Sequence, residues 1–172
     1  MPVAHACRRT RRTNTLESKP LEVLVFEIAG RRYGVPAADV REIVAVVTIV
    51  PLPRAPAVIE GIINLRGRIV PVLDIRTRFR LPAKPAEHTD HLVVARVGER
   101  LVALRVDRAT DLIGLDAADV EDARGAVPGV EYVSWVAKRA EDLVLIHDLH
   151  TFLSRAEADA LDEALPAGGT EG

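Results

Sequence analysis

The sequence predicts a mainly β chain, built as two small subdomains around one hydrophobic core, with a short helix after the first hairpin and a helix at the C-terminal end. Three observations carry this. Of 172 residues, 48% are hydrophobic, 23 are Val and only 3% are aromatic, so the core must be aliphatic and largely β-branched, a composition that suits pleated sheet. Short apolar runs recur in pairs around polar turns, most containing glycine. The order hairpin, connector, hairpin occurs twice.

Taken in chain order, Leu21 to Ile28 reads as a strand, Ala29-Gly30 as a tight turn and Arg31 to Val35 as the returning strand. Pro36 to Val44 places Val40, Ile43 and Val44 at helical spacing and predicts the short helix. Pro51, Pro53 and Pro56 then impose an extended connector. Ile59 to Leu65 and Ile69 to Ile75 form the second hairpin around Arg66-Gly67-Arg68. Residues 82–90 are polar and Pro-rich, which marks them as an internal boundary. His91 to Val97 and Leu101 to Val106 form a third hairpin around Gly98-Glu99-Arg100; Asp116 to Gly129 reads as a loop; Glu131 to Ala137 and Leu143 to Leu149 make the last pair. Ser154 and Glu157 have capping-box spacing ahead of Ala158, Leu161 and Leu165, and Pro166 stops the helix.

Val72-Leu73-Asp74-Ile75-Arg76-Thr77 and Ile146-His147-Asp148-Leu149-His150-Thr151 end two of these hairpins in similar ways. Together with the repeated order of elements, this predicts two pseudo-repeated β subdomains. Units that small bury too little surface to be stable alone. They are expected to share a core, and closing each sheet into a small barrel removes the Val-rich edges that invite aggregation.

The net charge of −2 conceals an asymmetry. Residues 1–20 form a basic arm of net +4 without apolar periodicity, residues 154–172 are the C-terminal helix and an acidic tail of net −4, and residues 21–153 are the folded body. The balance argues against a dedicated nucleic-acid binder. The longest nearly apolar run, Ile43 to Leu52, is too short to span a bilayer and contains Pro51, so no membrane insertion is expected. A single cysteine, Cys7, predicts no internal disulfide and a reducing, cytoplasmic setting.

Catalytic motifs are missing: there is no Gly-x-Ser-x-Gly, P-loop, Gly-x-Gly-x-x-Gly or Cys-x-x-Cys. No cofactor is implied. His88/His91 and His147/His150 have His-x-x-His spacing, but on a strand such pairs face opposite ways and are not preorganised for a metal. Arg76, Arg78 and Arg80 alternate and would give a strand one basic face, a surface suited to solvent or a protein. Pro53 to Pro56 fits a PxxP pattern, which a connector explains equally well. The stretch Glu60 to Ile75 carries most information. Its tip offers the Asn64 amide, the Arg66 guanidinium and Gly67 together, a donor-rich turn that another backbone can approach.

Tyr33-Gly34-Val35 through Val40-Arg41-Glu42-Ile43, then Gly61-Ile62-Ile63-Asn64-Leu65-Arg66-Gly67, Ile69-Val70-Pro71-Val72 and Asp74-Ile75-Arg76 resemble the CheW-like domain of bacterial chemotaxis coupling proteins. The likeness runs from about Leu21 to Ser154, with Gly98 to Asp111 as a weaker second block. It implies two SH3-like barrels around a shared core and a stand-alone, non-enzymatic adaptor. The partners it implies are a methyl-accepting chemoreceptor and a CheA-type histidine kinase, in a flagellar pathway or in a non-flagellar one controlling pili or a second messenger. Carried over position by position, Val40, Glu42, Ile43, Asn64, Arg66 and Gly67 fall in or beside the receptor-facing groove. Departures from the family pattern are Arg105, Arg108, Ser134-Trp135-Val136 and His147, the last at a usually aliphatic position.

Overall fold

The computed structural model describes residues 19–124 and 132–166. The first hairpin joins Leu21–Ile28 (β1) to Arg31–Pro36 (β2) through an Ala29-Gly30 turn with φ of 52° and 74°. Two positive φ values are the mark of a type I′ turn, whose twist matches that of the paired strands. The helical element expected next is a single 3-10 turn, Ala37–Asp39, and the residues expected to continue it, Val40–Ala45, form a strand instead (β3). That strand takes its backbone partners from His91–Val97 (β6), far along the chain, and a bulge between Val40 and Glu42 breaks its regular pleat.

Ile59–Leu65 (β4) and Arg68–Leu73 (β5) form the second hairpin. The strand expected to reach Ile75 stops at Leu73, because Asp74 Oδ1 accepts the Arg76 N–H at 3.1 Å and caps a one-turn helix, Ile75–Arg78 (α1). The basic strand face is therefore absent. Arg76 is buried against Asp107 at 2.6 Å, and Arg78 turns inward to the Phe152 carbonyl and the Glu157 carboxylate.

Arg100–Val106 (β7) and Arg108–Leu115 (β8) follow β6. The acidic stretch expected as loop contains a 3-10 turn, Ala117–Asp119, and a short strand, Val120–Asp122 (β9); residues 125–129 lie outside the described residues. Val133–Arg139 (β10) and Asp142–His147 (β11) make the last hairpin. Asp148 then repeats the role of Asp74, its Oδ1 accepting the His150 N–H at 2.9 Å to cap the 3-10 turn Leu149–Thr151. The C-terminal helix is Arg155–Ala164 (α2), with both bonds of the predicted Ser154/Glu157 capping box present. Most of the basic arm, Cys7 and the end of the acidic tail lie outside the described residues.

Two sheets result, ordered β8-β1-β2-β11-β10-β9 and β3-β6-β7-β5-β4. The predicted repeat is visible in their geometry: Ile43 of β3 stands opposite Val93 of β6 as Leu112 of β8 stands opposite Leu24 of β1. Each sheet also contains one parallel pair, β2 with β11 and β5 with β7. The expected boundary at residues 82–90 does not separate the subdomains, because β5 before it and β6 after it lie in the same sheet. The halves of the chain exchange strands: β3 and β5 pair with β6 and β7, whereas β8 and β11 pair with β1 and β2.

The burial pattern follows from this exchange. In β1, Val23 and Val25 face the interior of the first sheet with Ile113, Val144 and Ile146, while Leu24, Phe26 and Ile28 face a core common to both sheets. In β6, Leu92 and Val94 face the second interior with Ile63, Val70 and Val72, while Val93 and Ala95 face the common core. Central strands buried on both faces have to be apolar at every position, which explains their continuous Val-rich runs. Leu161 anchors α2 in the common core, and a further ion pair, Arg100 with Asp162, ties the helix down. These features are those of a two-subdomain SH3-like fold.

Candidate protein-binding rim

The outer strands of the second sheet, β3 and β4, are brought together at its open edge. The extended segment after β3 holds Val46 N–H on the Asp90 carbonyl at 3.1 Å and exchanges two bonds between Val50 and Ile62, at 2.9 and 2.8 Å. Gly61 permits this approach, since a Cβ there would stand 2.3 Å from the Val50 carbonyl oxygen. Across the same edge, the Arg66 guanidinium grips the Glu42 carboxylate with both ends, Nη1 to Oε1 at 3.0 Å and Nη2 to Oε2 at 2.9 Å.

The β4–β5 turn that carries Arg66 is again type I′, with φ of 51° at Arg66 and 84° at Gly67. A left-handed Arg costs about 1–2 kcal/mol, and the Asn64 side chain offsets part of this by accepting the Gly67 N–H through Oδ1 at 2.8 Å. No atom lies within 4 Å of a Cβ placed on Gly67. Within the chain its purpose is the positive φ, and the glycine required for close approach is Gly61.

The Arg66 side chain is 76% exposed. An ion pair so open to water contributes only about 0–1 kcal/mol to stability, so exchanging Glu42 for another acceptor would cost the fold little. Around it, Val50 at 54%, Val47 at 46%, Ile43 at 41% and Ile69 at 37% exposure are large apolar side chains facing solvent. The Val50–Ile62 and Asn64–Ile69 pairings place the first and last of these on the outward face of the β4–β5 hairpin.

Of the residues marked by the sequence, the structure brings Glu42, Asn64, Arg66 and Gly67 together. Ile43 is exposed next to Glu42 in β3. Val40 is half-buried and packs on the common core, and so is a supporting residue. Val47, Val50 and Ile69 escaped the sequence reading. For Val47 and Val50 the signal was the apolar run Ile43 to Leu52, of which β3 takes up only the part to Ala45.

The first sheet has a corresponding rim with its charges rearranged. Asp111 of β8 stands where Glu42 stands in β3, and Arg32 of β2 bridges it to Asp142 in the β10–β11 hairpin at 3.0 Å each. Leu112 and Leu143 are exposed beside these charges, at 65% and 59%, and a recess of about 320 Å³ opens between the strands.

Behind the second sheet lies a charge network that explains one departure from the family pattern. Arg105 is buried but fully engaged, by Glu60 at 2.7 Å, Asp90 at 3.1 Å and the Lys84 carbonyl at 2.8 Å. Lys84 reaches both Asp90 and Asp107, and Asp107 also accepts the Ala29 N–H at 2.8 Å from the other sheet's first turn. Burial alone would raise the Asp90 and Asp107 carboxyls. Hydrogen bonds outweigh it, from Glu87 N–H, Lys84 and Arg105 to Asp90, and from Arg76 and Ala29 N–H to Asp107, and hold both below the usual range. Of the two His-x-x-His pairs, His147 is buried and His150 exposed, and no group of three or more metal-ligating side chains is gathered among the described residues.

Comparison with known proteins agrees with this architecture. The family model described as the CheW-like domain matches residues 22–157. The chain is 28% identical over 152 residues to the chemotaxis protein CheW of Treponema pallidum (strain Nichols), covering 85% of this chain and 89% of that one. It is 27% identical over 143 residues to the chemotaxis protein CheW of Klebsiella aerogenes, covering 82% and 86%. Its fold is similar to the crystal structure of the scaffolding protein TtCheW from Thermoanaerobacter tengcongensis, with TM-score 0.74, 29% identity, and 80% of this chain and 95% of that one covered. With two exchanged β subdomains, an Asn-Leu-Arg-Gly turn closing one of them and a family match across most of its length, the chain belongs to the CheW-like domain family.

Proposed function

We propose that this protein is a non-catalytic adaptor that couples the cytoplasmic tips of chemoreceptors to a CheA-type histidine kinase, acting in the cytoplasm at receptor arrays. The observation that carries the reading is the pair of corresponding rims, one on each subdomain, both with exposed aliphatic side chains beside a charge pair. A coupler must hold two partners at once, and two rims on one rigid core meet that need. The Glu42–Arg66 rim, with Asn64 and Gly67 shaping its turn and Ile43, Val47, Val50 and Ile69 around it, is assigned to the receptor; the Leu112/Leu143 rim is assigned to the kinase. Membership of a scaffold family supports the reading, and no helix among the described residues is long and apolar enough to cross a membrane.

The test is co-sedimentation with receptor-bearing vesicles and, separately, capture of the kinase. Arg66→Ala should lose the receptor, keep the kinase and melt within about 1–2 °C of the parent, given the small worth of an exposed pair. Leu112→Asp should do the reverse. The two-rim assignment is refuted if either variant loses both partners or neither does.

A further inference from the structure

All three phenylalanines, both tyrosines and His147 meet in one cluster. The His147 ring stacks on Phe79 with centroids 4.4 Å apart and touches Tyr33 and Phe152 at 5.6 and 5.8 Å. It is 2% exposed. Its Nδ1 lies 3.0 Å from the Tyr132 carbonyl oxygen, and its Nε2 is buried without a partner. A carbonyl can only accept, so Nδ1 carries the proton and donates it, and Nε2 presents a bare lone pair to the core. This is the neutral imidazole, with no group in place to receive a second N–H.

We propose that His147 is a proton-sensitive lock, which in its neutral form ties Tyr132, just ahead of β10, to the end of β11 and which releases that tie when the ring takes up a proton. The charged groups around it give the imidazolium no counter-charge. From β2 the cluster presents the Tyr33 hydroxyl; from α1 come Arg76 and Arg78, the latter over the Tyr132 ring at 5.5 Å and donating to the Phe152 carbonyl. From the turn after β11 come Asp148, whose Oδ1 is engaged by the His150 N–H, and the exposed His150; from α2 comes Glu157, already paired with Arg78. Burial accordingly lowers the His147 pKa from 6.5 to about 4, against the smaller opposing effect of the Tyr132 hydrogen bond. Protonation thus requires the ring to leave the cluster. The strands it joins are β10 and β11, and β11 carries Leu143 of the first sheet's rim.

The sign of the effect follows from linkage. The open state binds the proton near 6.5 and the closed state only near 4, so the lock is at full strength above 6.5 and weakens as the pH falls towards 4. Between pH 7 and pH 5 the local opening equilibrium rises about 20-fold. The experiment is amide hydrogen exchange of the full chain across that interval, corrected for intrinsic rates, in the parent and in His147→Leu. Amides of β10 and β11 should lose protection by about 20-fold in the parent, and that loss should vanish in His147→Leu. His147→Gln, which keeps a donor and cannot titrate, should behave in the same way and serves if the Leu variant misfolds. The proposal is overturned if the β10 and β11 amides of the parent keep their protection down to pH 5, or if the variants keep the parent's pH dependence.

Discussion

Gly61→Ala should loosen the Glu42–Arg66 rim without altering a single residue exposed on it. The added Cβ would lie 2.3 Å from the Val50 carbonyl oxygen, 2.8 Å from the Val50 carbonyl carbon and 2.8 Å from Ile49 Cγ2. Two of these atoms are backbone, so no rotamer change relieves the contact, and the segment after β3 must draw back. Retreat breaks both hydrogen bonds of the Val50–Ile62 bridge, at about 1 kcal/mol each, and lifts Ile49 from the second sheet's interior, against which it packs. The expected total is about 2–3 kcal/mol, or a fall of about 5–10 °C in melting temperature for a domain of this size. Calorimetry gives the magnitude, and amide exchange at Val50 and Ile62 locates it. Receptor co-sedimentation should weaken because Val47 and Val50 move, although Arg66 and Glu42 remain in place. A melting temperature unchanged within about 1 °C, with Val50 and Ile62 still protected, would refute the reasoning.

Arg105→Ala should destabilise by about 3 kcal/mol in urea unfolding, because it leaves the buried Asp90 carboxylate with Lys84 as its remaining cation, and adding Asp90→Asn should recover part of the loss; a cost below about 1 kcal/mol would make the network ornamental. Acid unfolding should proceed in two stages. His147 contributes loss as the pH falls from 6.5 towards 4, and Asp90 and Asp107, both held below 3.8, add theirs as the pH falls further, since stability from a depressed carboxyl is present above its ordinary value and lost on titration through the folded one. Melting temperatures followed from pH 7 to pH 3 should show His147→Leu flattening only the first stage and Arg105→Ala only the second.

Much of the fold was legible because hairpins are local. Gly30, Gly67 and Gly98 all sit at turns with positive φ, and the runs flanking them are strands. What the sequence could not display was pairing at a distance. Val40, Ile43 and Val44 fit a helix until β6 supplies a ladder for β3, and residues 82–90 look like a boundary until the sheet order joins the strands on either side of them. The alternation of Arg76, Arg78 and Arg80 misled for a different reason: a single cap at Asp74 converts strand to helix and sends two of the three guanidinium groups inward. In the rim, the turn chemistry of Asn64, Arg66 and Gly67 was readable from the residues themselves. Glu42 entered only with the family resemblance and its pairing with Arg66 only with the structure, since nothing in the spacing links β3 to the β4–β5 turn.

The strand exchange between halves also bears on how such a chain is made. The β1–β2 hairpin is made before the other strands, yet its neighbours in the sheet, β8 and β11, follow every strand of the second sheet. Until then the face of β1 that carries Val23 and Val25 lacks its cover and stays open to other nascent chains. Contacts that close over such sequence separations are slow to form. The first subdomain is therefore completed only once β11 has emerged, while the second can assemble as soon as β7 emerges, so synthesis itself imposes an order on two units that the finished structure presents as equivalent.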